Sequence, residues 1–284
     1  MRTMLADPST LETLFTGTAW GEGPVWLPRE ERVRWSDIPN DRILEYDAGS
    51  GEVGVYRTGV EFTNGRTLDH SGAVLQCSHG RRAIERDTGG EPSIVVDRFE
   101  GHRLNSPNDV VVAHDGAIWF TDPPYGIHPS GAQGHPGEEE YGGCYVFRYD
   151  ERTARLDPVV TDMWHPNGLA FSPDGSVLYV SDTSALWHAD GHHHIRAYDV
   201  VDGTCRNGRV FAVIEPGVPD GFRVDAEGRV WTSSGEGVQV YSAECAKLSV
   251  IELPEVASNL CFGGRDRRDL YVTGRTSLFR VRLN

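Results

Sequence analysis

Six positions in this chain, Glu22, Asn64, Asn108, Asn167, Asp220 and Asn259, place a carboxylate or carboxamide oxygen at the head of an apolar run. Glu22, Asn64, Asn167 and Asp220 are each followed by glycine, Asn108 by Asp109 and Asn259 by Leu260. Oxygen donors of this kind suit a hard divalent cation, and Ca2+ takes about six to eight of them from Asp, Glu, Asn and water. Mg2+ fits less well, because it keeps several waters and demands octahedral geometry. His and Cys are absent from the set, which points away from zinc and copper. A single Asn-Gly or Asp-Gly only shapes a turn. Six polar openings in phase, with Glu at the first, argue for a shared site.

A second group gathers in residues 103–126, RLNSPNDVVVAHDGAIWFTDPPYG. Asn108 precedes the apolar run Val110–Val112, a His-Asp-Gly turn follows, and residues 117–120 form a second apolar run. Two short strands around an Asp-Gly turn make a β-hairpin. The entrance of the first strand and the exit of the second then lie at one end of the sheet. That gathers Arg103, Asn105, Asn108, Asp122 and Tyr125 at one mouth. Read alone, the same residues also serve as ordinary turn formers.

The elements that position these groups repeat. Each unit is a polar opening, an apolar strand, a turn, a second strand with aromatics and a polar outer stretch. Successive openings lie 42, 44, 59, 53 and 39 residues apart. Periods of about 40 to 50 residues built from short strands mark a β-propeller, one four-stranded blade per repeat. The two longer gaps hold loops at 129–143 and 185–194, and the acidic run 138–140 makes the first a candidate lid. Helical periodicity is not sustained anywhere. The expected architecture is therefore an all-β, six-bladed propeller with antiparallel blades and a central channel, one domain over residues 1–284. The TLETLF segment near the N-terminus is expected to pair into the last blade and close the ring. Inner strands all run the same way, so the six polar openings converge on the axis. Burying that many polar groups is costly unless water or a cation satisfies them.

Composition narrows the function. The formal net charge of −15 argues against a nucleic-acid surface and suits cation binding. The single lysine, Lys247, lies in a polar stretch between strands, which argues against lysine-based phosphate or Schiff-base chemistry. The five cysteines are scattered without metal-type spacing and read as small buried residues in a reduced protein. No apolar run reaches membrane-spanning length, and the first residues carry no secretory apolar core, so a cytoplasmic location is expected. GxSxG, HExxH and Walker glycine motifs are absent. His192, His193 and His194 read as an exposed loop, with His165 near the mouth.

The motifs EGPVW at Glu22, RLNSPNDVVV with DGAIWFTDPPYG, HPNGLAFSPDG with LYVSDT, and PDGFRVDAEGRVW occur in order along the chain. Together they resemble the gluconolactonase/regucalcin family, which also includes organophosphate hydrolases of similar structure. The resemblance covers nearly the whole chain. It implies a six-bladed propeller with Ca2+ at the channel mouth, or alternatively Zn2+, Mn2+ or Mg2+. It also implies Glu22, Asn108, Asn167 and Asp220 as ligands, Asp220 doubling as general base or acid, and Arg103 and Asn105 as substrate contacts. Tyr125, Asn64 and Asp122 complete the contacts expected at the mouth. The regucalcin branch carries an acidic contact just after this hairpin, where the present chain has Gly126, which favours the bacterial-type gluconolactonase branch. The expected activity is metal-dependent opening of a sugar lactone to the aldonic acid. Phosphotriester hydrolysis at the same site and a non-catalytic binding propeller are the alternatives.

Overall fold

The computed structural model describes residues 6–284, which form six four-stranded antiparallel sheets arranged as a six-bladed β-propeller. The inner strands are Gly21–Leu27, Thr63–Leu68, Val110–Val112, Pro166–Phe171, Phe222–Val224 and Ala257–Gly263. Blades one to five each run outward through four consecutive strands. The sixth takes three strands from the C-terminus and its outermost strand, Glu12–Thr16, from the N-terminus. That strand pairs antiparallel with Ser277–Arg282, so the two ends of the chain meet in one sheet. A two-residue hairpin, Arg98–Phe99 with His102–Arg103, has no counterpart in the repeat pattern.

Apolar side chains fill the wedges between blades. Trp119 packs with Leu169, Leu178 and Val180 between blades three and four, and Trp231 packs with Leu260, Val272 and Phe279 between blades five and six. The wedge between blades one and two holds a smaller apolar cluster of Val25, Leu27 and Val74. There the buried Arg66 donates to Gly23 O at 3.2 Å and to Ser36 Oγ at 2.7 Å. Burial lowers its pKa to about 10, which leaves it charged at neutral pH.

The glycines at the blade openings are explained by packing at the hub. A Cβ on Gly23 would overlap Asn64 O, one on Gly65 would overlap Asn108 O, and one on Gly168 would overlap Asp220 O. A side chain on Gly221 would run into the Asn259 amide. Each opening glycine is thus the surface on which the next blade's polar opening rests. In blades one, two, four and six the ladder also slips at the opening, between Glu22 and Val25, Thr63 and Arg66, Pro166 and Leu169, and Ala257 and Asn259. Such irregularities release a residue from the ladder and re-aim its side chain.

Candidate functional site

The hub residues are tied blade to blade through their main chains. Ser36 Oγ donates to Asn64 O at 2.9 Å, Thr121 Oγ1 to Asn167 O at 2.6 Å, and Ser181 Oγ to Asp220 O at 2.8 Å. Each hydroxyl comes from the second strand of one blade and holds the opening of the next. Glu22, Asn64, Asn108, Asn167 and Asp220 together line a cavity of about 310 Å³. Asn259 is not in the lining. It lies against Glu22, donating from Nδ2 to Glu22 Oε2 at 3.0 Å, and Gly23 N donates to the same oxygen at 2.9 Å. Glu22 Oε1 is buried without a hydrogen-bond partner.

The neighbours of Asn64 and Asn167 determine which way their amides face. His79 Nδ1 lies 2.9 Å from Gln133 O, so that nitrogen must carry the proton. His79 Nε2 is then the acceptor for Asn64 Nδ2 at 3.3 Å, and Oδ1 remains for the cavity. Burial pushes the His79 pKa down to about 4 and keeps the ring neutral. Asn167 Nδ2 donates to Thr183 Oγ1 at 3.3 Å, again leaving Oδ1 free of that bond. Thr183 Oγ1 is also hydrogen bonded to the Tyr125 hydroxyl.

The electrostatics suit a cation. Burial, then the charge of Asp220, raises the Glu22 carboxyl well above the usual carboxylate range. Burial also pushes Asp220 up to about 7, opposed by a hydrogen bond from Asn167 and reinforced by the charge of Asp109. Asp109 is buried and ion-paired with Arg223 across the channel at 3.3 Å, so that pair needs no further counter-charge. Two carboxylates that resist ionisation side by side, an orphaned carboxylate oxygen and inward amide oxygens form a donor set that fits a hard divalent ion. Glu22, Asn108, Asn167 and Asp220 could hold it, with Asn64 beside them. Among the described residues no group of three or more His, Cys, Asp or Glu side chains is placed to hold a metal ion, so at the hub the amide oxygens would have to complete the set.

Three residues expected at the mouth are not in the cavity lining. Asp122 is fully buried and accepts from Asn105 N at 2.7 Å, Ser106 N at 2.8 Å and the Tyr141 hydroxyl. Asp37 and Asp182 do the same work at the same place in blades one and four, accepting from Ala19 N at 2.9 Å and Trp164 N at 3.0 Å. Each of these aspartates ends a second strand and fastens the segment that leads into its own blade's opening. Asn105 is also fully buried, and its amide donates to Asp122 O at 3.1 Å and Gly143 O at 2.9 Å. Arg103 lies on the small outer hairpin, where its main-chain N–H donates to Glu140 at 2.7 Å. Tyr125, in contrast, reaches the cavity.

The remaining lining comes from Trp20, Ile38 and His128 and from the two long loops, Ser130, Ala132 and Gln133 of 129–143 and Leu186 and Trp187 of 185–194. Ile38, Tyr125 and Leu186 each sit in a short 3-10 turn, Ile38–Asn40, Tyr125–Ile127 and Ser184–Leu186, that follows the second strand of its blade. The recurring Ser/Thr-Asp before those turns (Ser36-Asp37, Thr121-Asp122, Ser181-Asp182) is the signal that could have located them. His165 packs edge-on against Tyr125 and Trp187, with ring centroids 5.6 and 5.1 Å apart, and burial lowers its pKa to about 4. The histidines of the loop at 185–194 stay outside the lining.

A family model described as SMP-30/Gluconolactonase/LRE-like region matches residues 20–276. The chain is similar to a gluconolactonase of Zymomonas mobilis subsp. mobilis, at 30% identity over 305 residues that cover 98% of this chain and 83% of that protein. It is also similar to pentonolactonase XacC of Haloferax volcanii, at 32% identity covering 91% and 82% of the two chains. Among solved structures, a gluconolactonase from Xanthomonas campestris matches with a TM-score of 0.89 at 40% identity, covering 96% of this chain and 89% of that one.

Proposed function

The chain belongs to the SMP-30/Gluconolactonase/LRE-like family, and on that premise we propose that it is a lactonase opening a sugar lactone to its aldonic acid. The observation that carries the reading is the cavity floor, where Glu22 and Asp220 stand among amide oxygens with Glu22 Oε1 unpartnered. Glu22, Asn108, Asn167 and Asp220 would hold a divalent cation, Ca2+ by the hardness of the donors. When bound, such an ion supplies Lewis-acid polarisation of the lactone carbonyl.

The protein's own groups supply the proton chemistry. Asp220 is half-buried at the cavity surface, whereas Glu22 is enclosed and held by Asn259 and Gly23 N, so Asp220 is the carboxylate able to move a proton. Ionised, it takes a proton from the attacking water and returns it to the ring oxygen as the acyl C–O bond breaks. One water is consumed, and the products are a carboxylic acid and a hydroxyl on the same molecule. Tyr125, with a hydroxyl kept neutral by burial, and the polar loop residues His128, Ser130 and Gln133 face the substrate from the side.

The test is a pH-stat assay of several sugar lactones with chelator and after return of a divalent ion, because each opening releases a proton. Turnover that falls on chelation and returns with the ion is the expected result. The absence of turnover of every lactone with every divalent ion tried would remove the proposal.

A further inference from the structure

The walls of the cavity differ in character from its floor. The floor is polar, yet Trp20 of blade one, backed by the buried Ile38, and Leu186 and Trp187 of blade four present apolar surface above it. Blades one and four are three apart in a ring of six, so these pairs stand on opposite sides of the axis. Leu186 is 61% exposed and Trp187 41% exposed, high values for large apolar side chains beside a polar site. Trp187 is nonetheless fixed, with its ring 5.1 Å from Tyr125, 4.6 Å from His128 and 5.1 Å from His165. A rigid aromatic held at a cavity edge and left exposed to water is a binding surface. No Arg or Lys lines the cavity, and the polar wall residues come from the connection between the second and third strands of blade three alone.

A fully hydroxylated lactone placed here would turn hydroxyls toward two walls whose only hydrogen-bonding side-chain groups are the indole N–H donors of Trp20 and Trp187, so most of those hydroxyls would go unpaired, which costs binding energy. We propose that the enzyme's preferred substrates are lactones with a hydroxyl-free portion, deoxy- or alkyl-substituted, seated between Trp20/Ile38 and Leu186/Trp187, and that Trp187 and Leu186 determine this specificity. The inference rests on the lactonase reading and narrows its substrate class. The carbonyl end meets the oxygen floor, one edge meets His128, Ser130 and Gln133, and the apolar portion lies against the tryptophans.

The experiment compares kcat/KM for an alkyl-substituted six-membered lactone and for glucono-1,5-lactone in the wild-type protein, Trp187→Ala and Leu186→Ser. The wild type favours the alkyl lactone, and each variant lowers the ratio of alkyl to glucono turnover at least tenfold, chiefly through KM. Leu186 is the more exposed of the two, so its variant keeps the test valid should Trp187→Ala unfold. A ratio unmoved by Leu186→Ser and by a folded Trp187→Ala, or a wild type that turns over only the polyhydroxylated lactone, overturns the inference while leaving the lactonase reading intact. Failure of both lactones with every divalent ion removes both.

Discussion

Asp220 and Glu22 share the cavity floor but are held differently, and mutation can separate their roles. Replacing Asp220 by Asn keeps an oxygen donor and removes the proton acceptor, so turnover should fall about 100-fold or more. Glu22→Gln leaves that acceptor in place and removes an enclosed charge, so its main effect should be on ion affinity measured by calorimetry. An Asp220→Asn protein with full activity would rule out the proton role. The raised pKa values carry a second prediction. Asp220 titrates at about 7 in the folded protein against 3.8 when unperturbed, so its contribution to stability is full below about pH 4 and is lost as pH rises through 7. Glu22 shifts in the same direction. Raising the pH drives the two carboxylates toward ionising side by side, and a bound cation would relieve that repulsion. At pH 5.5 protons already do so and compete with the ion. The gain in Tm on adding Ca2+ to chelated protein should therefore be larger at pH 8 than at pH 5.5, by scanning calorimetry. An equal gain at the two pH values would mean that these carboxylates do not hold the ion.

The loop at 128–143 is strapped to blade two rather than left free over the mouth. His79 bonds Gln133 O, Glu61 lies 2.8 Å from His135 Nε2, and Arg82 Nη2 donates to Glu138 O at 3.1 Å. His79 joins this strap to the hub, since its other nitrogen faces Asn64. His79→Leu keeps the buried volume and removes both bonds. Proteolysis between residues 128 and 137 should then quicken about fivefold, the effect of one hydrogen bond worth about 1 kcal/mol, and the lactone KM should rise. Proteolysis and KM unchanged from wild type would leave His79 a packing residue only. A strap with polar side chains on its inner side also gives the cavity its one hydrogen-bonding wall.

At the scale of the whole molecule, closure depends on five N-terminal residues, Glu12–Thr16, completing the last blade. Leu14 and Phe15 of that strand pack against the cluster of Trp35, Tyr271 and Leu278 between blades six and one. Deleting residues 1–16 exposes the edge of Ser277–Arg282 and this cluster. The loss should be about 3 kcal/mol or more, from two apolar side chains at about 1.5 kcal/mol each, read from urea unfolding. An unshifted urea midpoint would mean that the ring does not need this strand. The hub is the other molecular-scale feature. Because each opening glycine carries the next blade's polar residue, Gly65→Ala would disturb Asn108 and Asp109 in the neighbouring blade as well as its own.

The period of the openings was legible in the sequence because every blade must return a strand to the axis, and the axis accepts only residues that suit a crowded polar hub. Glycine after Glu22, Asn64, Asn167 and Asp220 was legible for the same reason, although its cause, contact with the next blade, is a fact of packing. The mouth was less legible. Asn105 and Asp122 look like ligand groups in a linear motif, yet neither lines the cavity: Asp122 fastens the segment before Asn108, as Asp37 and Asp182 fasten theirs, and the Asn105 amide N–H groups bond main-chain carbonyls. Sequence alone determined six blades, the closing strand and the oxygen-rich hub, since these follow from repetition. Only the tertiary structure decided that Trp20, Ile38, Leu186 and Trp187 wall the cavity. A recurring Ser/Thr-Asp marks the turns that hold Ile38 and Leu186, but which way these turns and the segment with Trp20 point is set by the blades they rest on rather than by the repeat.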